Sequence, residues 1–372
     1  MYFRLVKKEF LDVLSVVSRA VSVNSPLPSL HGIKINVKLD SLELTASDMD
    51  ISIQAIIESN EENKLEVFEP GQIILESRYL LDMVRKLDDE FIEIETIDGN
   101  LTKISSGGVN FEINGTSVEN YPLIDFEKPE NHLVFDSSLL KEIVLQTCFA
   151  ASDKETKPVL TGVNFRCEGN KLTCVATDSY RLAQKIVYLD EVNEFNITIP
   201  AKSLNEVAKI INSDGEVNIY ISNKKALFEF GNVLIQTRLI DGQYPETSKL
   251  IPSDFKHELK IDVRNMLNAI DRASVVKSEG VSIIKMKMST GEVEISSRTT
   301  EIGSKEIIYP IEYIGDDLTI SFKGNYVFDA IKAINCFEIK MQFGGEMKAF
   351  IISENKEDTD VLQLVLPIRT FN

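Results

Sequence analysis

The chain has 372 residues, of which 43% are hydrophobic and 26% are charged, so it can form two or three domains that each bury a core. No run approaches the roughly 20 apolar residues of a membrane span, and the amino-terminal MYFRLVKKEF lacks a signal-peptide core, so we expect a cytoplasmic protein. The formal net charge of −18, taken alone, argues against nucleic-acid binding, because phosphates are bound by clustered lysine and arginine.

Hydrophobic periodicity predicts a regular succession of helices and strands. Near the amino terminus, Phe10, Leu14 and Val17 recur at helical spacing and form the apolar face of an amphipathic helix. Where the period changes to two, the pattern predicts strands joined by hairpins. In chain order the main predicted elements are a helix over 7–20, strands over 34–46, a helix over 77–87, a helix over 137–151, strands over 160–177, a helix over 201–211, a helix over 262–276, strands over 282–297 and a helix over 324–334.

The same plan occurs three times. The helical segments SRYLLDMVRKL, AKSLNEVAKII and GNYVFDAIKAI are offset by 124 and then 123 residues. Their apolar positions coincide, and so do an acidic and a basic position on the polar face, which core packing does not require. The coinciding residues are Leu80, Leu204 and Val327; Val84, Ala208 and Ile331; Leu87, Ile211 and Ile334; Asp82, Glu206 and Asp329; and Arg85, Lys209 and Lys332. We therefore predict an α+β protein of three repeated domains, over 1–125, 126–253 and 254–372, each with two helices packed on β-sheets.

A triple repeat of this kind predicts a ring. Strands left at the ends of a repeat can pair with those of its neighbours, and a head-to-tail homodimer would bring six repeats and twelve helices together. Twelve helices at ordinary packing distances enclose a hole of roughly 25–28 Å, wide enough for hydrated duplex DNA. The six helical segments carry a formal +4, so the rest of the chain carries −22. An acidic exterior with a mildly basic lining predicts DNA retained by enclosure, with few phosphate contacts.

Catalytic and metal-binding motifs are not recognisable in the sequence. The cysteines Cys148, Cys167, Cys174 and Cys336 include no CxxC pair, and the three histidines lie far apart, so we expect reduced thiols, no metal and no cofactor. Nor does the chain contain a P-loop, GxGxxG, GxSxG or HExxH motif. This favours a binding protein over an enzyme.

Five segments, in this order on a threefold repeat, carry a resemblance to a known family: LPSLHGI (27–33), KPVLTGVNF (157–165), VATDSYRLA (175–183), LIDGQYPETSKLIP (239–252) and VLPIR (365–369). The whole chain resembles the bacterial beta sliding clamp family, the processivity subunits of replicative DNA polymerases. The resemblance implies a non-enzymatic, ring-shaped head-to-tail homodimer that encircles double-stranded DNA irrespective of sequence, without a membrane role. It also implies an ATP-driven clamp loader, and tethering of replicative polymerase and repair proteins near the nucleoid.

The resemblance also implies a hydrophobic pocket for short linear peptides of these partners, at the corner that follows VAT. Aliphatic walls suit a leucine or phenylalanine side chain, and exposed tyrosine and arginine are frequent in binding hot spots. Carried over by motif, the pocket comprises Leu160, Thr177, Ser179, Tyr180, Arg181, Leu182, Pro245, Lys249, Leu250, Tyr326, Met347, Leu364, Val365, Leu366, Pro367, Ile368 and Arg369.

Three departures from the family pattern concern this pocket. The common Gly-His before the arginine is here Ser179-Tyr180, which should reshape the pocket mouth. Lys249 stands where an arginine often occurs, which weakens planar stacking. Phe371 and Asn372 extend past the usual end, and we expect Phe371 to be able to fold over the groove.

For DNA, the resemblance points to the inner helices and an entry-side loop. The residues it implies as facing DNA are Arg78, Arg85, Lys154, Lys157, Lys202 and Lys209, while Asn24 replaces a family arginine. The dimer interface should join Phe111 and Ile113 of the strand VNFEI to the region of Val275 and Val276.

Two other classes of protein remain open from the residues alone. One is an enzyme with a site at a domain junction, where Asp178 and Arg181 form the most plausible polar pair although no nucleophile or metal accompanies them. The other is a monomeric repeat protein that binds peptides without DNA. Turnover lost on Asp178→Ala would favour the first, and a monomeric mass in solution would favour the second.

Overall fold

The computed structural model of the protein describes residues 1–211 and 214–369. Within these residues there are six α-helices, two in each third of the chain. They are α1 (Lys7–Val17), α2 (Ser77–Arg85), α3 (Ser137–Thr147), α4 (Ala201–Ile210), α5 (Val263–Ala273) and α6 (Gly324–Ile334). The helices predicted over 7–20 and 137–151 finish as 3₁₀ turns at Ser18–Ala20 and Cys148–Ala150, where the hydrogen bonds tighten from i−4 to i−3.

The same residues contain 24 β-strands. The first third contributes β1 (Tyr2–Val6), β2 (Gly32–Val37), β3 (Ser41–Ser47), β4 (Ile51–Glu58), β5 (Glu66–Glu69), β6 (Gly71–Glu76), β7 (Phe91–Asp98), β8 (Leu101–Ser106) and β9 (Val109–Asn114). The second contributes β10 (Asn131–Asp136), β11 (Gly162–Thr177), β12 (Arg181–Pro200), β13 (Glu216–Ile221), β14 (Lys225–Phe230) and β15 (Val233–Arg238). The last contributes β16 (His257–Asp262), β17 (Ile283–Ser289), β18 (Glu292–Arg298), β19 (Gly303–Ile308), β20 (Glu312–Ile314), β21 (Leu318–Lys323), β22 (Glu338–Phe343), β23 (Phe350–Glu354) and β24 (Val361–Val365).

The chain divides into two compact units, and unit 1 (Met1–Ser138 with Glu206–Leu239) contains two antiparallel sheets. The smaller has the strand order β5-β1-β7-β8-β9, and the larger has the order β10-β13-β14-β15-β4-β3-β2-β6. In the larger sheet Thr237 of β15 lies opposite Ile51 of β4. Because β4 belongs to the first repeat and β15 to the second, we call this pairing the first junction.

Unit 2 (Leu139–Asn205 with Ile240–Asn372) has the same kind of arrangement. Its seven-stranded sheet has the order β11-β12-β24-β23-β22-β16-β20, and its four-stranded sheet has the order β19-β18-β17-β21. Val365 of β24 lies opposite Arg181 of β12. This pairing joins the second repeat to the third, and we call it the second junction.

Each repeat buries the apolar helix face that the sequence predicts. Leu80 and Val84 of α2 and Val327 and Ile331 of α6 are fully buried, whereas Arg85 on the polar face of α2 is exposed. Removing such side chains from water provides most of the free energy that holds an amphipathic helix on a sheet. The prediction of two helices packed on sheets in each repeat is confirmed.

Two leucines of α3 test this burial directly. Leu140 is fully buried and Leu145 is 50% exposed. We expect Leu140→Ala to lower the free energy of unfolding by about 2–5 kcal/mol, because the truncated side chain leaves a cavity. Leu145→Ala, the matched control, should change it by less than about 1 kcal/mol. Urea denaturation followed by circular dichroism measures both, and equal effects would contradict the assignment of the buried face.

Candidate peptide groove and neighbouring surfaces

The corner between β11 and β12 is held by its own side chains. The Thr177 hydroxyl oxygen accepts a hydrogen bond from the Ser179 N–H (3.1 Å), and Asp178 Oδ1 accepts from the N–H groups of Tyr180 (2.8 Å) and Arg181 (3.0 Å). Ser179 has φ = +78°, a left-handed conformation that is unfavourable for residues other than glycine. The Thr-Asp-Ser sequence therefore builds a strained turn that presents Tyr180 at its tip.

The Arg181 side chain is held within the protein, with only 11% of its surface exposed. Its guanidinium forms salt bridges with Asp178 (3.3 Å) and Asp329 of α6 (2.9 Å). It also stacks over the rings of Tyr326, 4.6 Å from the centroid, and Phe149, at 5.3 Å. Arg181 thus fixes the corner on α6, because its charge is paired with the two carboxylates and its planar face is stacked on the two rings.

Tyr180 itself is 57% exposed and has a cationic neighbour. The Lys323 ammonium lies 5.2 Å from the Tyr180 ring centroid and 4.8 Å from that of Tyr326. The Tyr180 carbonyl oxygen accepts a hydrogen bond from the Leu366 N–H at 2.9 Å, which ties the corner to the end of β24. The exposed ring is therefore anchored on two sides while its outer surface faces solvent.

Beside this corner lies a groove of about 520 Å³, which we call the apolar groove. Beneath it lies a buried cluster that includes Leu160, Leu182 and Leu364. Leu160 belongs both to this cluster and to the groove lining, and apolar walls of this kind favour insertion of aliphatic or aromatic side chains. The groove is lined by Lys157, Pro158, Val159, Leu160, Thr177, Ser179, Asp241, Gly242, Pro245, Thr247 and Leu250.

The structure distributes the predicted pocket residues among several environments. Five line the apolar groove directly: Leu160, Thr177, Ser179, Pro245 and Leu250. Two lie in the buried cluster below it: Leu182 and Leu364. Those exposed are Tyr180, Lys249, Met347, Leu366 and Arg369, and those partly buried are Arg181, Tyr326, Pro367 and Ile368. Val365 differs from all of these, because it is fully buried in the core of the last repeat. Phe371 and Asn372 lie outside the described residues.

Several residues that line the groove were not predicted as site residues from the sequence. Pro158 and Val159 stand within KPVL, and Asp241 and Gly242 within LIDG, so the motifs contained them although their side chains lacked a chemical signal. Lys157, expected to face DNA, lines the apolar groove. A 3₁₀ turn at Pro158–Thr161 brings these residues to the groove, and periodicity does not report such a turn.

The other residues expected to face DNA lie on exposed surfaces. Arg78, Arg85, Lys154 and Lys202 are exposed. Lys209 of α4 forms an i,i+3 salt bridge with Glu206 at 2.6 Å. The same carboxylate also binds Arg19 at 3.2 Å, a cation that the sequence analysis did not select. The charge of Lys209 is therefore partly compensated, whereas the salt bridges of the described residues include none for Arg78, Arg85 or Lys202.

The residues expected at the dimer interface divide between two environments. β9 lies at the edge of its sheet, with Phe111 half-buried and Ile113 8% exposed. Val275, just after α5, is 74% exposed, whereas Val276 is 4% exposed within its own repeat. Phe111 and Val275 thus reach the surface, whereas Ile113 and Val276 are buried.

In residues 1–211 and 214–369, no group of His, Cys, Asp or Glu is arranged to hold a metal ion, and no helix is both long and apolar enough to cross a membrane. Burial raises the pKa of the Cys148 thiol to about 12 and raises that of Cys174 as well, so neither is an activated nucleophile. Asp178 and Arg181 are engaged with each other and with the turn.

Family models for the DNA polymerase III beta subunit match three consecutive segments: the N-terminal domain over residues 1–125, the central domain over 135–246 and the C-terminal domain over 248–369. The beta sliding clamp of Bacillus subtilis strain 168 is 39% identical over a 379-residue alignment that covers 100% of both proteins. The solved DNA polymerase sliding clamp from Bacillus subtilis superposes with a TM-score of 0.94, at 37% identity and 100% coverage of both chains. The DNA polymerase III beta chain of Streptococcus pneumoniae TIGR4 gives a TM-score of 0.95 at 33% identity, covering 99% of this chain and 100% of that one.

The second junction beneath the groove contains a buried cation. Lys185 of β12, 3% exposed, binds Glu142 of α3 (2.7 Å) and Asp360 before β24 (2.8 Å). Partial burial raises the pKa of the Asp360 carboxyl, but the hydrogen bond and charge of Lys185 outweigh it, so the pKa lies below its ordinary value. A carboxyl whose pKa is lowered by folding stabilises the protein above its unfolded-state pKa, and this contribution is lost as the pH falls through the folded-state value.

We therefore expect Asp360→Asn to destabilise the protein at neutral pH, because Lys185 keeps its charge and loses one partner. The difference in free energy of unfolding between the wild type and this variant should shrink as the pH falls below about 4. Asp190→Asn, at an exposed site, is the control and should have little effect at any pH. Denaturation at a series of pH values tests this, and a difference that grows on acidification would contradict it.

Proposed function

Because this chain belongs to the DNA polymerase III beta subunit family and is a DNA polymerase sliding clamp, we propose that two copies close head to tail around duplex DNA and tether the replicative polymerase through the apolar groove. In this proposal the chain forms three clamp domains, over 1–125, 126–253 and 254–372. It acts in the cytoplasm on nucleoid DNA, as a scaffold without catalytic activity.

The observation that carries the ring is the repetition of one junction. In the first junction β4 pairs with β15, the last strand of the second repeat, and in the second junction β12 pairs with β24, the last strand of the third. In the third repeat the corresponding strand is β19, and the last strand of the first repeat is β9. Both lie at the edge of their sheets in the described chain. Pairing β19 of one copy with β9 of another completes the series and removes both exposed edges.

The side chains of these edges suit such an interface. Phe111, half-buried, supplies apolar surface on β9, and Ile307, 43% exposed, supplies it on β19. Val275 precedes β17, the first strand of the same four-stranded sheet along the chain, and is also exposed. An isologous contact would pair β9 with β9, whereas the pattern of the two junctions favours the heterologous, head-to-tail contact.

Enclosure explains how a protein with a large negative net charge can stay on DNA. The chain carries −18, and the exposed cations proposed to face DNA are only five: Arg78, Arg85, Lys154, Lys202 and Lys209. A handful of phosphate contacts gives weak, salt-sensitive and sequence-independent affinity. A ring held shut by strand pairing keeps its DNA without strong contacts and leaves the protein able to slide.

The apolar groove provides the tether. A short peptide carrying leucine or phenylalanine can bury these side chains against the floor around Leu160, Leu182 and Leu364, with Tyr180 at the rim. Polymerase, clamp loader and repair proteins that carry such peptides would compete for one site. Ser179 and Tyr180 set its mouth, so they determine which peptides enter.

The interface makes a testable prediction. We expect Phe111→Asp to convert the protein from a dimer of about twice 41.8 kDa to a monomer of 41.8 kDa, because the carboxylate is desolvated at the strand pairing. Phe337→Asp replaces a side chain that is 91% exposed and belongs to neither edge strand, and it should stay dimeric. Light scattering after size-exclusion chromatography measures both masses. Wild-type protein of monomeric mass would contradict the proposal.

Retention on DNA tests the ring itself. Wild-type protein loaded on nicked circular DNA should survive a high-salt wash and dissociate when the circle is linearised, whereas Phe111→Asp should be washed off both forms. Equal loss of the wild type from circular and linear DNA would rule out enclosure.

The groove is tested with a fluorescent peptide that contains adjacent leucine and phenylalanine. Leu250→Asp should weaken its binding by about tenfold or more, because a carboxylate would face the inserted side chain. Val192→Asp, at an exposed position outside the groove, should bind within about twofold of the wild type. Fluorescence anisotropy gives both affinities, and unchanged binding by Leu250→Asp would exclude this groove as the peptide site.

A further inference from the structure

The corner that frames the apolar groove has a twin at the first junction. At the twin, the Ser47 hydroxyl accepts the Met49 N–H at 3.1 Å, and Asp48 Oδ1 accepts the N–H groups of Asp50 (2.9 Å) and Ile51 (2.8 Å). These are the bonds that Thr177 and Asp178 make at the second junction, within 0.2 Å. Met49 has φ = +82°, which matches the φ = +78° of Ser179.

The correspondence extends to the strand that pairs with the corner. The Arg238 N–H donates to the Asp50 carbonyl at 3.0 Å, as the Leu366 N–H donates to the Tyr180 carbonyl at 2.9 Å. The neighbouring 3₁₀ turn is repeated as well, at Pro28–His31. The backbone frame of a peptide groove is therefore present twice in the chain.

The side chains on this second frame are polar. The facing apolar pair Leu182 and Leu364 is replaced by Ser52 and Gln236, and Leu366 is replaced by Arg238. A concavity on the β15 side of the first junction, which we call the basic cleft, has a volume of about 470 Å³ and includes Gln236 and Arg238 but not the corner itself. It is lined by Asp125, Ser222, Asn223, Lys224, Lys225, Gln236 and Arg238.

Charge in the basic cleft opposes that of the whole protein. Lys225 is neutralised by Asp125, whose carboxylate lies 2.8 Å from the ammonium. Lys224 and Arg238 are exposed, and the salt bridges among residues 1–211 and 214–369 include neither of them. The exposed Asp50 carboxylate lies on the corner beside Arg238. A local excess of positive charge in a chain of net charge −18 selects an anionic ligand.

A buried acceptor indicates what kind of anion fits. The Gln236 Oε1 atom is buried and has no hydrogen-bond partner among the described residues. Because Gln236 lines the cleft, turning its amide outward would let Oε1 accept a hydrogen bond from a ligand N–H group, which removes the cost of an acceptor without a donor. A polypeptide backbone has such donors and a phosphodiester backbone has none.

We propose that the basic cleft is a second peptide-binding site, which takes an extended, acidic segment of a partner protein. In this site Lys224 and Arg238 bind aspartate or glutamate side chains, and Gln236 accepts a hydrogen bond from the segment's backbone. The site lacks the floor that would hold leucine or phenylalanine, so it does not compete for the peptides of the apolar groove. The inference does not depend on the ring or on the tether proposed above.

The experiment measures fluorescence anisotropy with a labelled peptide of alternating glutamate and glycine, added to the full-length protein. The peptide should bind saturably, and its lysine and glycine counterpart should not. Combining Lys224→Glu with Arg238→Glu should weaken binding by about tenfold or more. The swap of Lys224→Arg with Arg238→Lys should keep the affinity within about twofold, because the charges are retained.

Two further variants separate a built site from general charge attraction. Lys171→Glu with Arg298→Glu makes the same change in net charge at exposed positions outside the cleft and should leave the affinity within about twofold. Gln236→Leu keeps every charge and should weaken binding several-fold through loss of the acceptor. Equal weakening by the Lys171 and Arg298 pair, or no effect of Gln236→Leu, would overturn the proposal.

Competition identifies the class of ligand and separates this inference from the proposed function. A duplex oligonucleotide that displaces the acidic peptide through Lys224 and Arg238 would make the cleft a nucleic-acid site and overturn the peptide assignment. The Lys224 and Arg238 reversal should leave retention on circular DNA and binding of the leucine-phenylalanine peptide unchanged. Leu250→Asp should leave the acidic peptide bound. Absence of saturable binding by the wild type would also overturn the proposal.

Discussion

Unsatisfied backbone hydrogen-bonding groups at the edges of the sheets constrain the rest of this molecule. A strand edge exposes a row of N–H and C=O groups that need partners, and each repeat meets this need with the last strand of the next. β4 binds β15 and β12 binds β24 in this way. The series leaves β9 and β19 at sheet edges within the described chain, so the constraint that joins the repeats also leads to the proposed assembly of two chains.

The same junctions position the two proposed binding surfaces. At each one a strand begins just after a left-handed turn, and the end of the neighbouring repeat's last strand lies against that turn. At the second junction the cross-strand residues are Leu182 and Leu364, and the floor is apolar. At the first they are Ser52 and Gln236. The turn is held at each junction by its own Ser, Thr and Asp side chains, so the residues on the facing strands can differ between the two junctions.

Electrostatics acts locally in this protein, in spite of the large net charge. Arg181 and Lys185 are held by carboxylates at the second junction, where their role is to join β12 to α6, α3 and the segment before β24. The exposed helix cations Arg78, Arg85 and Lys202 take part in none of the salt bridges of the described residues, so they remain available to phosphates in the proposed ring. Lys224 and Arg238 stand apart from both groups, since they are exposed together in a concave site.

The sequence by itself determined the three repeats, their helices and the face that each helix buries, because the 3.6-residue period of apolar side chains is a local property that survives in the order of residues. It also contained the motifs around the corner at Thr177. Only the tertiary structure decided which strands pair across repeats, since Thr237 and Ile51 are remote in the chain and no local period links them. It likewise decided that Arg181 turns inward between Tyr326 and Phe149, that Lys157 lines the groove, and that Val365 is core. Burial and charge pairing depend on neighbours that long-range folding brings together, so the residue type alone does not specify them.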